Sequence, residues 1–243
     1  MVFSSKAIQL ATLGCAELHK NIFCGKFSQI NQIEREQTMV GKEIPDIIVG
    51  RLPIYLRALR HMREDGQQTT SSQELGKQVG ISAAQIRKDL SQFGEFGKQG
   101  TGYLISYLID KLCEILKVDR VWDVAVVGAG DMGHALTRYQ GFFNRGFRIT
   151  MIFDNNPDLL GKKIGDLTIQ STDALVSALK AGKVSLAMLT VPATAAQKIT
   201  DLLVEAGVKA ILNYAPISLN VPEGVIVQYI DPSTHLQRMT YYL

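Results

Sequence analysis

The sequence predicts a mixed α/β chain in two parts. A winged helix-turn-helix domain covers residues 39–116, a Rossmann-like domain with a parallel sheet covers 121–230, and a terminal helix covers 231–243. Three observations predict this. Two capped helical stretches with a glycine between them lie within residues 71–93. From residue 121, short β-branched runs alternate with helical stretches, as in a parallel sheet with crossover helices. A glycine motif, Gly128-Ala129-Gly130-Asp131-Met132-Gly133, stands between an apolar strand and a helix.

Val49, Leu52, Leu56 and Leu59 step by 3, 4 and 3, which marks one face of an amphipathic helix. Pro53 either opens a new helix at its first turn or kinks the first one. Ser71-Ser72-Gln73-Glu74 is a capping box, because Ser71 and Glu74 can each satisfy the other's free amide. Leu75 and Val79 form the inner side of that helix, and Gly80 ends it. Ser82 caps the next helix, which turns Ile86, Leu90 and Phe93 inward. The stretch Phe93-Gly94-Glu95-Phe96-Gly97-Lys98-Gln99-Gly100-Thr101-Gly102-Tyr103 reads as a tight β-hairpin, the wing.

Strands are expected at 121–127, 148–153, 184–189, 208–212 and 225–230, with helices at 134–144, 173–181 and 193–206. The charged stretch 117–120 suits a linker. Residues 1–38 read as a flexible extension or a mis-set start, with Met39 a candidate beginning of the folded part. They make a poor secretory signal, and the apolar stretch that a lipoprotein site at Cys15 would need is absent.

Composition narrows the function classes. No apolar run approaches the ~20 residues of a membrane helix. Cys15, Cys24 and Cys113 are scattered, which argues against a disulfide framework or metal site and suits the cytoplasm. The net charge of +3 permits a nucleic-acid partner without demanding one, and residues 39–116 balance 10 Lys and Arg against 9 Asp and Glu.

The glycine motif points to a dinucleotide. Its first glycine allows the tight turn, its second admits the pyrophosphate, and its third lets helix and strand pack. Asp154 ends the second strand, 21 residues beyond Gly133, where an acid bonds ribose hydroxyls and favours NAD(H) over NADP(H). Lys162 and Lys163 read as solvated loop charges. The residues of an enzyme are harder to find. His134 faces phosphates or solvent, and His235 lies in the last helix. Tyr107 and Lys111 have a dehydrogenase-like spacing but precede the glycine motif, so they read as helix packing and a surface charge. The cofactor then acts as a signal and not as a reagent.

In a helix-turn-helix the start of the second helix meets base edges. Here that is residues 82–89: Ser82 and Ala84 at its start, Gln85 suited to adenine, Arg87 to guanine and Lys88 to phosphate. Lys98 and Gly100 of the wing suit the minor groove. The DNA-binding part thus runs over about 55–94, with the wing continuing to 103. Two other readings stay open: an NAD-dependent oxidoreductase with a helical accessory domain, and a nucleotide-gated protein-interaction module.

From about Ile44 onward the chain resembles the Rex family of bacterial redox-sensing repressors. The resemblance rests on Arg51-Leu52-Pro53-Ile54-Tyr55-Leu56-Arg57, Gln85-Ile86-Arg87-Lys88-Asp89-Leu90-Ser91, the glycine motif, Thr190-Val191-Pro192-Ala193, Ile211-Leu212-Asn213-Tyr214-Ala215-Pro216 and Val221-Pro222-Glu223-Gly224-Val225. It implies a homodimer that binds operator DNA when empty or carrying NAD⁺ and is released by NADH. It also implies a C-terminal helix, here 233–242, swapped onto the partner subunit. Thr190 and Pro192 join the cofactor set, Tyr139 stands near the nicotinamide, and Arg57 and Asp231 couple the two domains. Each of the last three also has a plain structural reading: Arg57 as a surface residue, Tyr139 as packing, Asp231-Pro232 as a helix start.

Overall fold

The computed structural model describes residues 44–97 and 102–243. The expected extension 1–38, Lys98 and Gly100 lie outside the described residues. The chain divides into two compact units, one ending at Ile105 and the other starting at Ser106. The division thus falls at the first residue of the helix Ile105–Ile115, upstream of the charged stretch 117–120 suggested by composition.

The first unit contains helices α1 (Asp46–Val49), α2 (Leu52–Glu64), α3 (Ser72–Val79) and α4 (Ala83–Leu90). Two short strands, β1 (Thr69–Thr70) and β2 (Tyr103–Leu104), pair antiparallel. Pro53 sits in the first turn of α2, where its missing N–H costs nothing. The capping box forms as expected: the Glu74 amide donates to Ser71 Oγ at 3.1 Å and the Ser71 amide to Glu74 Oε2 at 2.8 Å. Gly80 closes α3 in the left-handed region at φ 71°, and the Gln85 amide donates to Ser82 Oγ at 3.2 Å. Leu52, Tyr55, Leu59 and Met62 of α2 are buried, as are Leu75, Ile86 and Leu90.

The wing expected over 93–103 is described only at its base, since residues 98–101 lie outside the described residues. There the two arms approach closely, because a Cβ on Gly97 would run into the Gly102 carbonyl oxygen, and β2 also pairs with Thr69–Thr70.

A buried ionic cluster holds α4 to α2. Asp89 has no exposed surface. Arg51 clamps its carboxylate through Nε at 2.6 Å and Nη2 at 2.8 Å, and the Tyr55 hydroxyl donates at 2.6 Å. Gln85, one turn earlier, donates Nε2 at 2.7 Å. Burial alone would raise the Asp89 carboxyl, but the hydrogen bonds from Arg51, Tyr55 and Gln85 outweigh it and hold the group below its ordinary range. Burial and the bond to Asp89 push the Tyr55 hydroxyl upward.

The second unit begins with most of α5 (Ile105–Ile115) and builds a seven-stranded sheet. Its strands are β3 (Trp122–Val127), β4 (Phe147–Asp154), β5 (Lys163–Ile164), β6 (Leu167–Ser171), β7 (Leu186–Leu189), β8 (Ala210–Asn213) and β9 (Ile226–Tyr229). Their order is β5-β6-β4-β3-β7-β8-β9, parallel except for the β5–β6 hairpin. Helices α6 (Asp131–Arg138), α7 (Leu175–Gly182), α8 (Ala193–Glu205) and α9 (Pro232–Thr240) accompany it. Both faces of the sheet are apolar. Ala125, Val127 and Leu189 pack with Leu179 and Leu203 on one side. Val124, Val126 and Met188 pack with Ile164 and Ile169 on the other. That two-sided burial explains why the strand sequences lack polar alternation.

Three local expectations change. The helix expected over 134–144 ends at Arg138. Tyr139 leaves helical geometry with ψ 105°, and a 3₁₀ turn over Gln140–Arg145 follows. Lys163 belongs to β5 and not to a loop. The helix expected at 173–181 starts with a 3₁₀ turn over Thr172–Ala174 before α7.

Truncating a buried, hydrogen-bonded charge strands its partners, so Asp89→Ala should cost about 3–5 kcal/mol in urea unfolding of the first unit. The Asp89 contribution is fully present above the unfolded carboxyl value of about 3.9 and is lost as pH falls through the lower folded value. The wild-type urea midpoint should therefore drop below about pH 4. In Asp89→Asn that part of the drop should be missing.

Candidate cofactor turn and DNA-facing helix

The turn between β3 and α6 is built by exclusion. Gly128 sits at φ 104°, and a Cβ there would lie 2.6 Å from the Thr190 carbonyl oxygen. A Cβ on Gly133 would overlap the carbonyl oxygen of Gly128. Only glycine fits either place. Gly130 differs, because a Cβ there would meet nothing within 4 Å. Its backbone borders open space at the N-cap of α6, where free amides and the helix dipole attract anions.

Two side chains brace the turn. Asp154 accepts from the Ala129 amide at 2.6 Å and from the Asn156 amide at 2.8 Å. Each carboxylate oxygen still has a lone pair for a hydroxyl donor. Thr190 Oγ1 lies 3.0 Å from the Val127 carbonyl oxygen and 2.8 Å from that of Gly128. Its hydroxyl proton therefore serves the protein backbone, a role that the sequence reading did not assign. The strand order reverses between β3 and β7, so the turn and Thr190 meet at the switch point where open α/β sheets bind ligands.

Of the other expected cofactor residues, Asp131, Met132 and Gly133 follow directly from this turn, whereas Tyr139 stands at the far end of α6. Asp131 and Met132 are exposed in the first turn of α6, and Gly133 is buried. Pro192 is the N-cap of α8. Tyr139 caps α6 half exposed and meets Phe142 edge-on at 5.0 Å. Asp231 caps α9, accepting from the Ser233 amide at 2.9 Å and hydroxyl at 2.6 Å. Arg57 is exposed on α2. The Tyr107–Lys111 pair lies on α5, where Lys111 bonds Glu114 at 2.7 Å and stands 6.0 Å over the Tyr107 ring. Among the described residues, no three His, Cys, Asp or Glu side chains gather as a metal would need.

In the first unit, α4 exposes Ser82, Ala84, Arg87 and Lys88. Within residues 82–89, Asp89 points inward with Ile86 and Leu90, and all three are buried. The spacing carried that signal, since Asp89 is three residues from Ile86 and shares its face. Gln85 is half-buried beside the exposed face, and both it and Arg87 are tied down. Gln85 bonds Asp89, and Arg87 Nη1 donates to Ser72 Oγ at 2.9 Å. Beside Arg87 lies a cleft of about 660 Å³, lined by Ser72, Leu90, Gly94, Phe96 and Tyr103. Arg51 and Tyr55 are the functional neighbours that local pattern did not reveal, because their partner Asp89 lies more than thirty residues away.

Known proteins align with both parts. Residues 43–91 match a family described as putative DNA-binding protein N-terminus, and residues 119–217 match a CoA binding domain family. The chain is 50% identical over 202 residues to a redox-sensing transcriptional repressor Rex of Roseiflexus sp. (strain RS-1), covering 83% of this chain and 92% of that one. It resembles solved structures of RSP, a Rex-family repressor. One, in complex with β-NAD⁺ and operator DNA, has TM-score 0.79 at 36% identity, covering 83% of this chain and 93% of that one. Another, with β-NADH, has TM-score 0.76 at 34% identity and covers 83% and 94%.

The glycines separate by role in a simple comparison. Gly133→Ala should prevent the β3–α6 turn from closing and abolish NADH binding together with the thermal transition of the second unit. Gly130→Ala should melt close to wild type yet weaken NADH binding at least about tenfold, since its new methyl intrudes only on the ligand side. Calorimetric titration and thermal melting of the two variants check this.

Proposed function

Because the chain belongs to the Rex family of redox-sensing transcriptional repressors, we propose that it is a homodimeric repressor that binds operator DNA when empty or carrying NAD⁺ and lets go when NADH binds. The observation that carries this is that RSP, alike along most of the chain, has been solved both on operator DNA with NAD⁺ and with NADH. The glycine turn fits the cofactor. The free amides of α6 would hold the pyrophosphate, Gly130 would allow its close approach, and Asp154 would accept from ribose hydroxyls.

NADH and NAD⁺ differ by a hydride and a positive charge at the nicotinamide. A ligand shifts a two-state equilibrium only through differential affinity, so the discriminating contacts belong at that ring. An apolar surround favours the uncharged reduced ring, because burying the oxidised ring's charge costs free energy. Tyr139, with Phe142 edge-on against it, would supply apolar surface at that ring. A coupling of about 1–3 kcal/mol gives a useful response. The redox chemistry belongs to whatever enzymes set the NADH/NAD⁺ ratio in the cytoplasm, and the chain itself performs none.

The dimer reading draws support from α9. Leu236 and Met239 are each more than 60% exposed on it, and Tyr241 and Tyr242 follow even more so. Such an apolar stripe suits burial against a second copy. Swapped helices would bring each subunit's α9 to its partner.

Operator affinity measured at fixed total dinucleotide and varied NADH/NAD⁺ tests the proposal. Affinity should fall as the ratio rises, and an unchanged affinity would refute it. Arg87→Ala should weaken operator binding by about 1–3 kcal/mol while leaving NADH affinity within about twofold of wild type. Parallel loss of both would indicate misfolding.

A further inference from the structure

Asp89 is an ionised group with no exposed surface on the helix that carries the DNA-facing residues. Apolar packing by Ile86 and Leu90 would bury that face without the desolvation cost of a charge. A directional task explains the choice. We propose that Asp89 is a positioning residue for operator discrimination: clamped by Arg51 at the N-cap of α2 and Tyr55 within it, it fixes the roll of α4 and the orientation of the Gln85 amide. The proposal rests on the repressor reading above.

Each oxygen of the carboxylate takes two donors. Oδ1 accepts from Arg51 Nη2 and Gln85 Nε2, and Oδ2 from Arg51 Nε and the Tyr55 hydroxyl. The Arg51 fork is planar and bidentate, so it restrains rotation as well as distance. Dispersion contacts do not. On a helix about 10–12 Å across, a roll of about 20° moves a side-chain tip by about 2 Å. Base-edge hydrogen bonds tolerate a spread of only about 0.5 Å. The exposed Ala84, Arg87 and Lys88 would lose register together.

The Gln85 amide adds a second effect. Its two ends present opposite hydrogen-bonding patterns, and a rotation exchanges them. An ionised carboxylate only accepts, so Asp89 holds the NH₂ end and leaves the carbonyl oxygen free on the flank of the exposed face. Asparagine at 89 could either donate or accept, and the choice would be lost.

The test compares the duplex that wild type selects from random sequence with its single-base variants, using full-length protein. The triple variant R51M/Y55F/D89L replaces the ion cluster by apolar groups of similar size, a change that often preserves folding. It should keep NADH affinity and binding to unrelated duplex within twofold of wild type. Its preference for the selected duplex should fall about tenfold or more, and Asp89→Asn should relax the preference at one base position most. A triple variant that discriminates like wild type overturns the proposal. Should the triple variant not fold, Tyr55→Phe takes its place. Removing that one hydroxyl should lower discrimination about threefold, and an unchanged ratio overturns the proposal equally. A wild type that selects no sequence defeats the repressor reading itself, and that result is visible before any variant is made.

Discussion

The carbonyl oxygen of Gly128 occupies the space where residue 133 would carry a side chain, and the second unit is arranged around that exclusion. Because no Cβ intrudes, α6 starts directly off the end of β3, with its first amides facing open space beside Gly130. The parallel order β4-β3-β7 then brings Asp154 and Thr190 to the same turn from either side. The anion-attracting helix end, the acid and the switch point thus depend on one close backbone approach.

The two units solve their packing differently. The second buries both faces of a sheet in aliphatic and aromatic side chains, an arrangement that is strong but has little directionality. The first is smaller and holds two of its helices together with a fully buried carboxylate and three side-chain donors. Polar networks of this kind often add little net stability over apolar packing of similar volume. That contrast suits a sensor that has to hold a ligand and a reader that has to present side chains in register.

Much of this was legible in the sequence because it is local. The Ser71–Glu74 capping box, the Gly80 stop and the Ser82 cap each depend on residues within four positions. The glycine motif is equally compact, and Asp154 follows it at a distance fixed by one helix and one strand. What escaped depends on distant partners or on very short elements. Asp89 finds Arg51 across 38 residues, β2 pairs with Thr69–Thr70, and the β5 strand has two residues, too few to show alternation. Tyr139 ends α6 although its sequence continues a helical pattern, and the aromatic contact with Phe142 accompanies that break. The hydroxyl of Thr190 bonds the backbone of the glycine turn from a strand end more than sixty residues away, which no local pattern reveals.

If reduced cofactor loosens the hold on DNA, thermodynamic linkage requires DNA to loosen the hold on reduced cofactor by the same factor. Titrating NADH calorimetrically into the protein alone and into its operator complex measures that factor directly. Apparent NADH affinity should be weaker in the complex, by about 5–150-fold for a coupling of about 1–3 kcal/mol. Identical NADH affinities with and without operator would contradict it, because the two halves would then be uncoupled.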